Sequence, residues 1–285
     1  MILALSNALG FAASLAATAA YGVMAVRSST QRERCGVPLS AAAAAPPPGR
    51  PSYAGHAALA LAWLAHGVAL AAGLTSEPAR FGFGPALSVT VWLVLTVYAI
   101  ESRVLPQLKA HWALSALGAA AVVLALLFPG NTYQAIASPW LPLHWVLGLA
   151  SYGLFAVAVV HGWLMSRAEH AIRLAAPGGT GVPLMTLERL TFRFVEAGFA
   201  LLSATLLAGW FFAEQLYGPA LAGAWNHKTV FSMLSWLTFA MLLAGRSRLG
   251  WRGSKAVGVL YLGSGLLLLG YVGSRFVLEV VLGRT

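Results

Sequence analysis

The chain has 285 residues, 59% of them hydrophobic and 9% charged, with a mean hydropathy of +0.76. A water-soluble fold could not enclose that much apolar surface, so the chain reads as one solvated mainly by lipid. The formal charge of +10 would suit a nucleic-acid binder only if the basic residues gathered on one face; they are dealt out over short loops, which excludes nucleic acid as a partner.

Apolar stretches long enough to cross a bilayer core as helices lie near residues 3–26, 56–74, 84–101, 112–128, 143–165, 191–214, 228–245 and 256–282. The fold class that follows is all-α: a polytopic membrane helix bundle of about eight transmembrane helices. The first stretch has no basic residue ahead of it and no small-residue cleavage pattern, and is expected to stay as a helix. Residues 27–55 hold an alanine run and Pro46-Pro47-Pro48, the composition of a flexible cytoplasmic connector. The Gly/Pro-rich break from Pro177 to Pro183 precedes the sixth span, where Thr186 is the expected N-cap. No internal repeat is visible, so residues 1–285 are read as a single membrane domain, with a seven-span region over 56–282.

Lys and Arg alternate from loop to loop. The odd loops and their flanks hold fourteen of the 18 basic residues, among them Arg27, Arg103, Arg173, Arg189, Arg246 and Arg252. That bias places those loops in the cytoplasm and both termini outside. Cys35, the single cysteine, falls in a cytoplasmic loop and can form no internal disulfide.

Chemistry must come from polar residues in or beside the membrane, where burial is costly. The chain contains no Asp, which removes paired-Asp and Ser-His-Asp schemes, and no catalytic set is assigned. Glu196 with Arg193, and Glu279 with Arg275, are expected to form local ion pairs near the interface. His66 falls near the middle of the second span with nothing ionic within a turn. It reads as a neutral imidazole bonded to a neighbouring helix, as a metal or haem ligand, or as a residue lining a transport path. His144 and His227 stand at the outward mouth, opening the fifth and seventh helices. Two imidazoles at one depth, beside Trp145, Trp225 and Trp236, are what an axial-ligand pair on a flat macrocycle needs; the same tryptophans also suit an interfacial aromatic belt. His56, His111, His161 and His170 are expected to be headgroup contacts. The glycines inside the spans, such as Gly198, Gly209 and Gly263, are read as helix-packing positions.

Three segments resemble cytochrome c assembly proteins of the CcsA/CcmC superfamily. Residues 141–162 begin with an outward histidine and run into Ser151-Tyr152. Residues 224–246 look like the end of that superfamily's Trp-rich outer loop, keeping Lys228-Thr229 and Ser235-Trp236. Residues 250–277 open with Gly-Trp-Arg-Gly. Pro183 to Arg189 and Gly273-Ser274-Arg275 are similar to the YpjD/HemX-like branch, and the likeness covers roughly residues 56–282. The resemblance implies an outward-facing bundle that binds or handles haem in cytochrome c biogenesis, with other maturation proteins as partners, in a bacterial inner membrane. It places an outer histidine on His144 and a mid-membrane histidine on His66. The sequence departs from the pattern where the acidic residue and most tryptophans of the Trp-rich motif are missing. A histidine at the inner end of the seventh helix falls on Ala244, and one after the last helix falls near Leu282. His227 is the candidate replacement as second outer ligand. The outer loops, about a dozen residues each, are too short for an apocytochrome docking surface, so the chain reads as a haem-handling protein and not a lyase. Two alternatives stand beside this: a permease subunit for a small solute with His66 and Glu196 on its path, and a non-catalytic membrane regulator of haem metabolism.

Overall fold

The computed structural model describes residues 2–34, 53–75, 79–104, 111–133, 140–174, 182–213 and 227–282. Its helices are α1 (Ile2–Arg34), α2 (Tyr53–Thr75), α3 (Phe83–Val104), α4 (His111–Leu127), α5 (Trp140–Arg173), α6 (Leu184–Phe211), α7 (His227–Leu249) and α8 (Gly253–Leu268). The last run continues through a π-helical turn at Leu269–Gly273, a short α segment at Ser274–Phe276 and a second π turn at Val277–Val281. Seven described helices are long and apolar enough to span a bilayer, and the apolar helix in α4 is shorter, Ala113–Leu127. The polytopic all-α architecture read from the sequence is the one observed.

Contacts divide the chain into two compact units, residues 1–88 with 109–132 and residues 89–108 with 133–285. In the first, α1 packs on α2 and α4. Small residues permit close approach: a Cβ on Gly10 would come within 3.1 Å of Ala72. A two-stranded ribbon, β1 (Ala79–Phe81) paired with β2 (Asn131–Tyr133), appears where the sequence suggested only loops. Gly130, at φ 81°, explains how: a Cβ there would sit 2.5 Å from the Phe81 carbonyl carbon, so only glycine lets the strands meet.

In the second unit, α5 and α6 run side by side along most of their length, and α7 turns back into α8. At its centre the rings of Phe155 and Phe239 stack at 3.8 Å and 4°. A glycine floors each ring. A Cβ on Gly198 would lie 3.0 Å from Phe155, and one on Gly263 would lie 2.9 Å from Phe239. The packing role expected of these two glycines is thereby given a partner for each. Two polar ties cross the same layer: Ser235 Oγ donates to the Gly263 carbonyl at 2.8 Å, and the Tyr152 hydroxyl donates to the Leu267 carbonyl. The second tie engages that carbonyl just before the helix widens into its π turn, a usual place for an inserted side-chain bond.

The Gly-Trp-Arg-Gly segment closes the α7–α8 hairpin. Gly250 and Gly253 take φ 64° and 58°, and the Trp251 amide donates to the Gly245 carbonyl at 3.1 Å. The indole then lies where a Gly245 side chain would be, 2.5 Å from an ideal Cβ. Thr186 does not cap α6. The helix starts two residues earlier, Pro183 is its N-cap, and the Thr186 amide already donates to the Pro183 carbonyl at 2.9 Å. Pro183 has no side-chain acceptor, so no side-chain cap is made there.

Candidate functional site

His144 lies one turn into α5, at the end that the Lys/Arg bias turns outward. Its half-buried imidazole rests on α6, where Gly209 leaves room: a Cβ at 209 would come within 3.5 Å of His144 Cε1. The backbone of Thr205, one turn away on the same helix, also reaches the ring. Two turns of α6, residues 203–209, therefore serve this end of the unit, because Ser203 accepts a hydrogen bond from Trp236 Nε1 at 2.8 Å. Phe199 stacks on the same indole at 5.4 Å and 26°. Trp145 is half-buried beside His144, and His227 is exposed as the first residue of α7. Trp225 lies outside the described residues. Thus His144 and Trp236 both pack against α6, while His227 stands free of the packed surface. Among the described residues no group of three or more His, Cys, Asp or Glu side chains could hold a metal ion.

His66 is enclosed in the other unit. No part of it is exposed; Nε2 and Ser88 Oγ share a hydrogen bond of 2.8 Å, and Tyr21 meets the ring edge-on at 5.9 Å. Nδ1, the Tyr21 hydroxyl and Thr18 Oγ1 are buried and have no hydrogen-bond partner among the described residues. A histidine whose Nε2 is held by a serine behaves as a polar tie between α2 and α3.

Sequence reasoning missed a second histidine pairing. His161, expected at the headgroups, is 2% exposed. Its Nδ1 lies 2.9 Å from the Val157 carbonyl and its Nε2 3.1 Å from Glu101 Oε2 on α3. Phe194 stacks on its face at 5.4 Å. A ring nitrogen facing a carbonyl must carry hydrogen, so Nε2 is the atom left to meet the carboxylate. The pair is separated by 60 positions in sequence, and nothing local marks it. Glu101→Ala is expected to lower the stability of the solubilised protein by about 1–3 kcal/mol, the cost of stranding a buried polar group. Thermal denaturation against Arg103→Ala, at an exposed neighbouring position, checks it.

The expected Arg193–Glu196 pair is absent among the described residues. Glu188 forms an ion pair on this helix instead, with Arg246 Nη1 at 2.9 Å from its Oε1. The Glu279 side chain lies outside what is described. His170 is exposed, as expected of a headgroup contact, whereas the side chains of His56 and His111 fall outside the described set.

Residues 53–282 match the family described as cytochrome C assembly protein. The Inner membrane protein YpjD of Escherichia coli (strain K12) is 26% identical over 230 residues, which is 78% of this chain and 85% of that one. The Cytochrome c biogenesis protein CcsA of Synechococcus sp. (strain JA-3-3Ab) is 29% identical over 106 residues, 35% of this chain and 30% of that one. The protein of the same name from Cyanophora paradoxa is 33% identical over 87 residues, 30% and 26% of the two chains. No solved structure matches significantly. Seven span-length helices and the likeness to an inner membrane protein make this a multi-pass inner membrane protein. A family match over residues 53–282, on an all-helical membrane bundle with a histidine seated at one end of α5, means that the chain belongs to the cytochrome c assembly protein family.

Proposed function

We propose that this protein binds and passes haem at its outward face in cytochrome c biogenesis, without itself forming a covalent bond to it. The observation that carries the reading is the seat of His144: a half-buried imidazole, placed on α6 by the missing side chain of Gly209. An axial ligand needs a ring that is held in place and yet open to a macrocycle. His144 meets that description, and His66, closed in by Ser88 and Tyr21, serves the fold of its own unit. His227 is the second ligand in this proposal, since an exposed imidazole on the loop side is free to approach a macrocycle held by His144. Trp145 and Trp236, with Trp225, supply indole surface for the flat ring. Haem brings an iron centre that imidazoles ligate, and the protein contributes its binding and orientation. Partners in this reading are other maturation proteins, met at the outward face.

A pyridine haemochrome assay on gently solubilised protein tests it. The expected result is haem approaching one equivalent per chain, with at least a tenfold loss in His144→Ala. Haem-free protein that drives solute uptake in vesicles would replace this reading by the permease alternative.

A further inference from the structure

The second unit holds a cavity of about 480 Å³ at its inward end, lined by Glu196, Leu243, Ala244, Arg246, Ser247 and Arg252. None of these residues takes part in the outward site. Arg246 is fixed from two directions, by its 2.9 Å bond to Glu188 and by the face of Phe192 at 3.5 Å. Arg252 Nε is 3.8 Å from the same Glu188 oxygen, too far for a hydrogen bond, and its side chain is 68% exposed. One carboxylate, Glu188, thus faces two guanidiniums, and Arg252 makes no hydrogen bond among the described residues. The corner is also pre-shaped: Arg252 sits between the two positive-φ glycines, on a loop pinned by Trp251 against Gly245. Glu196 lines the same cavity with the opposite sign and forms no ion pair among the described residues. Ala244, where the resemblance expects a histidine, adds only a methyl group beside Leu243, so no imidazole lines this cavity.

A cavity lined by two guanidiniums, a separate carboxylate and an apolar wall complements a zwitterion. Guanidiniums favour phosphate because their planar N–H forks match its oxygens. A carboxylate complements an ammonium. We propose that this cavity binds a phosphate–ammonium group of the phosphoethanolamine class, its phosphate on Arg246 and Arg252 and its ammonium on Glu196. The basic loops place the cavity at the inner headgroup level, where such a group is presented by a lipid; the same group on a soluble molecule has the same chemistry.

Native mass spectrometry of the full chain, released from nanodiscs of equal phosphatidylethanolamine and phosphatidylglycerol, tests this. The wild type should retain phosphatidylethanolamine several-fold over phosphatidylglycerol. Arg252→Ala should cut that retention about tenfold. Glu196→Gln should remove the preference for phosphatidylethanolamine while keeping lipid binding. Ser247→Trp, which fills the cavity from an exposed position, should abolish retention if Arg252→Ala fails to fold. Displacement of the retained lipid by millimolar O-phosphoethanolamine marks the soluble source, and failure to displace it marks the lipid. Equal retention of both lipids in the wild type and all variants overturns the proposal.

Discussion

Gly245→Ala should destabilise the protein nearly as much as Gly245→Val, because the first added carbon already collides with Trp251. The ideal Cβ lies 2.5 Å from two ring atoms, well inside contact distance. The indole cannot retreat cheaply. Its amide is bonded to the Gly245 carbonyl, its loop depends on two left-handed glycines, and Lys255 lies over its ring at 4.3 Å. Overpacking of this kind costs about 1–3 kcal/mol, and more where backbone must move. For a protein of this size that corresponds to a fall in melting temperature of roughly 2–10 °C in detergent. The inward corner should loosen with the loop, since the same turn holds Arg252 beside Glu188. Equal melting temperatures for wild type and Gly245→Ala would show that the loop yields freely and that the Gly-Trp-Arg-Gly turn is not a fixed element.

Phe155→Ala should remove about 3–5 kcal/mol, the range for emptying a buried aromatic position. The cost arises even within lipid, because what is lost is close packing against Phe239 and Gly198, and packing is what holds membrane helices together. Gly198→Ala should also destabilise alone, since its methyl would press on the Phe155 ring at 3.0 Å. The two changes should not add. In Phe155→Ala the space beside residue 198 is vacant and the extra methyl fills part of it, so the double variant should be more stable than the sum of the singles by about 1 kcal/mol or more. Denaturation midpoints of the four proteins give the coupling directly. Strict additivity would mean that Phe155 is not seated on Gly198.

The number and order of the helices were readable in the sequence because each span is an apolar run of the length a bilayer demands. Their ends were less so. α5 continues to Arg173 and α6 begins at Leu184, beyond the expected limits of 165 and 191. Hydropathy marks the lipid-facing length, whereas the backbone keeps its hydrogen bonds until Pro or Gly stops it. The β1–β2 ribbon escaped notice because three-residue strands carry no periodicity and their pairing joins distant loops. The same reason hid the polar pairs. His161 with Glu101 and Arg246 with Glu188 are separated by 60 and 58 positions, and a sequence shows only neighbours within a helical turn. Local expectations erred in the opposite direction: Arg193 and Glu196 are suitably spaced on α6 yet form no ion pair among the described residues. At the candidate site, the depth of His144 could be read from its place at the head of a span. Its seat on Gly209 could not, because that glycine looked like any other small residue in a span.

Absorption spectra of the haem-loaded protein and its two histidine variants bear most directly on the outward site. Ligation by His144 and His227 predicts that His144→Ala and His227→Ala each shift or abolish the Soret band, with added imidazole restoring the wild-type spectrum in both. A Soret band unchanged in both variants would contradict it.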